Sequence, residues 1–197
     1  MRFTARLFLL VLAVCAAPAQ AETQPIDVLR EHVQSGIAVL QDTAYTGAEQ
    51  AQQQRLCAIA HGMIDAAMFS RLVLGGHWQR FSAAERDEFV DVFGEFLCRY
   101  YLGRLQARYS NEQVSFVGQT FTTENRAVVT ASVVWQDIKL PIKVRMLRRE
   151  GRWRAYDMVV TGISAVMLYR AQFEALLLRS SPAAIIDDLR RRIAEQG

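Results

Sequence analysis

The chain has little of what enzymes use at fixed spacing. It contains only three histidines, His32, His61 and His77, and it has no H-E-x-x-H, no G-x-S-x-G, no glycine-rich phosphate loop and no C-x-x-C. These absences exclude the common metallohydrolase, serine-hydrolase, nucleotide-binding and dithiol-redox signatures. Cys57 and His61 stand four apart and can share a helix face, but no third ligand or orienting carboxylate stands at a readable spacing. Gly162-Ile163-Ser164 lacks the second glycine of a nucleophile elbow, which leaves Ser164 as a helix cap. The expectation is a protein that is not an enzyme, with no metal and no cofactor.

Long apolar runs are also scarce. The clearest covers residues 7–17, preceded by Arg2 and Arg6 and followed by Pro18-Ala19-Gln20-Ala21. That is the pattern of a secretory signal peptide cleaved after Ala21, and the run is too short for a permanent membrane anchor. Cys15 lies inside the apolar stretch behind Val14, where a lipoprotein signal wants a small residue, so lipidation is disfavoured. The mature part, residues 22–197, is then an exported chain long enough for one domain with a real core. Charge of one sign is missing too. Removing Arg2 and Arg6 from the 23 basic residues leaves 21 against 20 acidic ones, and nucleic acid is not an expected partner.

The charges that are present are segregated. Lys139, Lys143, Arg145, Arg148, Arg149, Arg152 and Arg154 crowd one hairpin, while Glu85, Asp87, Glu88, Asp91 and Glu95 crowd one helix. Each set is either a solvated face or, for the basic one, a surface for anionic lipid head groups or an acidic partner. Cys57 and Cys98 remain after export, in a compartment that permits disulfides. Cys57 flanks the apolar stripe of Leu56, Ala60 and Met63, and Cys98 lies opposite Phe89 on its own helix. Two buried free thiols are therefore expected, with a bridge as the alternative.

Helical periodicity sets the first half. Ile26, Leu29, Val33, Ile37 and Leu40 predict a helix over 25–42. Thr46-Gly47-Ala48-Glu49 reads as a capping box opening a second helix to about residue 69, with Leu56, Ile59, Ala60, Met63, Ile64 and Ala67 inward. Ser82-Ala83-Ala84-Glu85 opens a long helix to about residue 109, whose Phe89, Phe93, Phe96 and Tyr100 share one face. From Gln113 the period becomes two, and strands are predicted over 113–118, 126–135, 138–147 and 152–160, with tight turns at Gln136-Asp137 and Glu150-Gly151. Pro141 argues for a bulge or an edge position. Ala127 and Ala131, on one face with Val129, Val133 and Trp135, leave volume either for a ligand or for a closely packed helix. A helix over 164–178 follows, with Arg170 inside its apolar stripe, where it must pair, Asp157 being the candidate, or reach a lipid phosphate. Ser181-Pro182 caps a last helix with Ile185, Ile186, Leu189 and Ile193 inward.

Strand and helix meet in the most distinctive stretch: Trp153, Tyr156-Asp157, Val160-Thr161-Gly162-Ile163-Ser164 and Tyr169-Arg170-Ala171-Gln172-Phe173. A second set comprises Asp65, Leu74-Gly75, Trp78, Phe89, Phe93, Tyr100 and Tyr101. On these residues the chain resembles the MlaC family, also called the toluene-tolerance family, of periplasmic phospholipid-binding proteins. It departs from the family pattern at Thr161, usually acidic, and at Leu168, commonly Asn. A hopanoid-associated group shares the same pattern.

The resemblance implies an α+β fold, a twisted antiparallel four-stranded sheet wrapped by about six helices around a deep apolar lipid pocket. It implies a shuttle for phospholipid cargo between an outer-membrane lipoprotein complex and the periplasmic subunit of an inner-membrane ABC transporter. The expected pocket lining is Phe96, Tyr100, Val129, Val133, Ile142, Val144, Met146, Met158, Val160, Val166, Met167 and Phe173, with Arg170 as the head-group candidate. A non-lipid periplasmic adaptor protein is the competing reading.

Overall fold

The computed structural model describes residues 23–195, so the signal sequence and the cleavage after Ala21 expected from the sequence lie outside the described residues. Seven α-helices and five strands follow in order. They are α1 (Pro25–Gln41), α2 (Glu49–Met63), α3 (Ala66–Leu74), α4 (Ala83–Leu97), α5 (Gly103–Arg108), β1 (Gln113–Thr123), β2 (Arg126–Trp135), β3 (Ile138–Arg149), β4 (Arg152–Val160), β5 (Ile163–Ser164), α6 (Ala165–Leu177) and α7 (Pro182–Ala194). A π-helical turn over Cys98–Leu102 joins α4 to α5, with Leu97 and Gly103 both helical, so the long helix expected from the sequence is continuous but widened in its middle. No described helix is long and apolar enough to cross a membrane.

The sheet is antiparallel throughout, in the order β1-β2-β3-β4-β5. It has five strands where the sequence predicts four. The fifth is two residues long, folded back by Thr161 and Gly162, both with positive φ, and a strand so short leaves no alternation to detect. The two predicted turns are present: Gln136-Asp137 and Glu150-Gly151 all have positive φ, the geometry whose twist matches that of the flanking strands. Pro141 is not on an edge, since β3 lies between β2 and β4. Its carbonyl accepts from Thr161 N at 3.1 Å, so its ring nitrogen faces the same side, just past the last β3–β4 pair, Ile142 with Val160. No ladder bond is lost there.

Local chemistry explains most helix ends. Ser82 and Glu85 form the predicted capping box, and Ser181 caps α7 by accepting from Ala184 N. The box predicted at Thr46 does not form. Gly47, at φ +76°, turns the chain after a short 3₁₀ segment, and α2 starts only at Glu49 with no side-chain cap. The helix expected to reach residue 69 also stops at Met63, because Asp65 restarts the chain as α3 by accepting from Met68 N at 2.8 Å. Of the stripe predicted for α2, Leu56 alone is fully buried.

Two cores result. The larger gathers Phe69, Val73, Leu74, Phe81, Phe89, Phe93 and Phe96 with Val166, Tyr169, Phe173 and Leu177 of α6 and Ile185, Ile186 and Leu189 of α7. The smaller packs Leu29 of α1 against Ala127, Val129, Val144, Met146, Trp153 and Ala155 of the sheet. Cys57 and Cys98 are disulfide-bonded, with Cα atoms 5.6 Å apart, which overturns the expectation of free thiols. The phenylalanine face of α4 is taken by α3, α6 and α7, and α2 lies along the opposite flank. Cys98 meets Cys57 because it points away from Phe89.

Candidate functional site: an apolar corner of the sheet

Strand register assembles the candidate site. Phe116, Ala131, Ile142, Val160 and Ile163 are paired in sequence across all five strands, so one apolar row crosses the whole sheet on one face. Beside it lie Val129, Val144 and Met158, and on the other side Val114, Val133 and Leu140. Lys139, Lys143 and Arg145 alternate onto the opposite face.

Helix α1 covers only part of this apolar face. Gln119 Oε1 accepts from Ile26 N at 2.9 Å, Arg30 lies over the Phe116 ring at 5.2 Å, and Gln41 Nε2 donates to the Tyr109 hydroxyl at 3.1 Å. The helix therefore tracks β1 and seals Val129 and Met146 completely. Of the two alanines of β2, Ala127 serves this close helix approach, packed in one core with Leu29 of α1, and Ala131 is buried as well. Toward β4 and β5 the same face opens: Met158 is 47% and Ile163 61% exposed, while Val133, Leu140, Ile142 and Val160 are half-buried. Ile37 and Leu40, on the last turns of α1, are also half-buried.

The predicted lining residues separate into three groups. Val129, Val144 and Met146 lie under α1 in the smaller core. Phe96, Val166 and Phe173 are inside the helical core. Val133, Ile142, Met158 and Val160 share the open face, Met167 of α6 is 57% exposed, and Tyr100 is half-buried on the π-helical turn. Leu140 and Ile163 belong to the same face and were missed. The two-residue turn at Gln136-Asp137 sets Leu140 opposite Val133 and would have found the first of them.

Polar groups hold the corner in place. Asp157, buried at the end of β4, accepts from Arg145 Nη1 at 2.8 Å, from Ser164 Oγ at 2.8 Å and from Val166 N at 3.1 Å. Ser164 Oγ in turn accepts from Met167 N at 3.2 Å, capping α6 as expected. Arg170 does not pair with Asp157. Its Nε donates to the Leu72 carbonyl at 2.8 Å and Nη2 bonds the same oxygen, satisfying an open carbonyl near the end of α3. Two polar-walled clefts lie elsewhere. One of about 650 Å³ is lined by residues including His61, Asp65, Asp91, Glu95, Arg149, Arg152 and Arg154, and one of about 480 Å³ lies between Gln41, Tyr45, Gln52 and Gln106. Neither contains a predicted lipid-lining residue.

The sequence profile of the MlaC protein family matches residues 30–191, which takes in most of α1, the whole sheet and most of α7. The chain belongs to the MlaC family. Within 97 residues it is 29% identical to the intermembrane phospholipid transport system binding protein MlaC of Haemophilus influenzae, a match spanning 47% of this chain and 45% of that protein. The chain thus aligns with about half the length of that MlaC relative. A phospholipid-binding protein from Ralstonia solanacearum, solved in complex with a phospholipid, has the same fold at a TM-score of 0.77 and 18% identity, covering 88% of this chain and 99% of that one. Of the two departures from the MlaC pattern, Thr161 lies at φ +49° in the turn into β5 and Leu168 is exposed on α6. Both are on the surface beside the open corner, where they leave the joint made by Asp157 and Ser164 intact.

Proposed function

We propose that this chain is a periplasmic phospholipid carrier, a shuttle that takes lipid between the outer- and inner-membrane complexes of an Mla-type transport system. The observation that carries the reading is the five-strand apolar row, covered by α1 at one side and left open at the other, in a chain of this family. Such a surface is unsatisfied until something apolar lies on it. Burying each acyl CH₂ stabilises by about 0.8 kcal/mol, so two chains of roughly fifteen methylenes represent on the order of 24 kcal/mol. The resident lining on this reading is Val133, Ile142, Met158, Val160 and Met167, joined by Leu140, Ile163 and Tyr100. The chain itself hydrolyses nothing and takes no cofactor beyond its cargo.

Release then needs an apolar route into the acceptor, and α6 moving against the sheet supplies one. A cross-link between α6 and β4 that leaves transfer unchanged counts against that route. The basic face of β3, with Lys139 and Lys143 exposed, is the surface offered to acidic partners, namely the periplasmic subunit of an inner-membrane ABC transporter and an outer-membrane lipoprotein complex. Direction is set by those partners, since equilibrium binding has none.

Native mass spectrometry of the protein purified from its own periplasm tests the reading. An adduct at the mass of a diacyl phospholipid is expected, and Val160→Asp should abolish it while the protein stays folded. An adduct at a hopanoid mass would reassign the cargo, and a clean apo mass in both proteins would favour the adaptor reading.

A further inference from the structure

The π-helical turn and the first turn of α5 carry two side chains, Tyr101 and Arg104, that the apolar corner does not use. Arg104 stacks its guanidinium over the Tyr100 ring at 3.5 Å, and Tyr100 is itself stacked on Phe96 at 5.6 Å, so the cation sits on an anchored ring. No carboxylate among the described residues pairs with it. Beside it, the buried Tyr169 hydroxyl donates to the Tyr101 oxygen at 2.8 Å. Burial, and then that hydrogen bond, push the Tyr169 hydroxyl well above its ordinary range, with the Arg104 charge acting in the opposite sense. Tyr169 therefore keeps its proton, and the Tyr101 hydroxyl, on a side chain that is 46% exposed, has hydrogen-bonding capacity left to turn outward.

These donors stand on one side of their helix. The other side is occupied by α2: Gln53 donates to the Arg99 carbonyl, Gln106 bonds Glu49 and Gln52, and a Cβ at Gly103 would lie 2.8 Å from Gln53 Nε2. Tyr100, Tyr101, Arg104 and the exposed Leu105 face away from it. Ser164, next to the edge of the apolar row, precedes Tyr169 by five residues, roughly 8 Å of helix. A ring-stacked guanidinium with a second outward donor, next to exposed apolar side chains, is suited to a phosphate oxygen pair rather than to a neutral group.

We propose that Arg104 and Tyr101 bind the phosphodiester of the cargo's head group, a role the sequence assigned to Arg170. This rests on the carrier reading and adds a selectivity to it: the site discriminates a phospholipid from a neutral diacyl lipid of the same chains. The tyrosine supplies direction and the arginine supplies charge, without a salt bridge to break before the lipid enters.

The test compares phosphatidylglycerol, diacylglycerol with matched chains, and inorganic phosphate, in the wild type and in the Arg104→Gln and Arg104→Lys variants. The wild type should bind phosphatidylglycerol about tenfold more tightly than diacylglycerol, the effect of a charge-assisted hydrogen bond. Arg104→Gln should remove that preference with diacylglycerol binding and the melting temperature unchanged, and Arg104→Lys should keep part of it. A folded Arg104→Gln that retains the full preference overturns the proposal, as does a wild type that binds both lipids equally. Inorganic phosphate binding as tightly as the phospholipid would mean a free-anion site and overturns it too. A wild type that takes up neither lipid overturns the carrier reading and the head-group site together.

Discussion

Asp157 joins sheet to helix at a single side chain, accepting from a guanidinium, a hydroxyl and a backbone amide. Asp157→Asn replaces one accepting oxygen by a donor that faces other donors. The expected loss is roughly 1–3 kcal/mol, a fall in melting temperature of several degrees, measurable by thermal unfolding. Gly75 is a second single-residue constraint. At φ +52° it ends α3 in a conformation L-residues avoid, and a Cβ there would meet Arg170 Nε at 3.4 Å. Gly75→Ala should therefore destabilise by about 1–2 kcal/mol, and a variant as stable as the wild type in urea would contradict this. Local residue roles such as Ser82, Ser164 and Ser181 were legible because a cap is decided within three positions. The partner of Arg145 was not. Counting back from the Glu150-Gly151 turn pairs Arg145 with Tyr156, and a bulge between Arg145 and Met146 hands the position to Asp157 instead.

At the level of elements, α2 is the least self-sufficient. It buries little beyond Leu56 and Gln52 and is held by Gln52 bonding the Val39 carbonyl, Gln53 bonding Arg99 and the bridge from Cys57 to Cys98. The bridge closes a separation of 41 residues, for which chain entropy predicts about 4 kcal/mol. Chemical denaturation with and without reductant should show a loss of that order, and α2 amides should lose exchange protection first. Helix α4 offers a pH test. The Ser82 amide and hydroxyl hold the Glu85 carboxyl below its ordinary value, so the cap's contribution is complete above the usual glutamate range and is lost as pH falls through the lowered value. Protection of the Ser82 amide should decline over that acidic window and nowhere above it. The sequence revealed these helices by period, while the break at Ile64 and Asp65 was hidden because Met63, Ile64 and Ala67 carry the apolar stripe across it. What breaks the helix there is tertiary: Asp65 N donates to the Ala155 carbonyl at 2.8 Å.

For the molecule as a whole, the shared aromatic face expected on α4 is present and forms the centre of the larger core. Phe93 touches Phe69, Phe89, Phe96, Tyr169 and Phe173 within ring-contact distance, and Phe93→Ala should cost about 3–5 kcal/mol in denaturant unfolding. Half of the expected lining is buried under α1 or among the helices, because sequence shows which residues are apolar, not which element will cover them. The two cores share no buried side chain, and this division bears on how such a protein can diversify. On the carrier reading, substitutions in the corner of the sheet would retune what is carried while the aromatic core keeps the chain folded, with Phe96 and Tyr169 the exceptions because they support Tyr100 and Tyr101. Inheritance of strength and inheritance of taste would then, those two positions aside, be written on different residues.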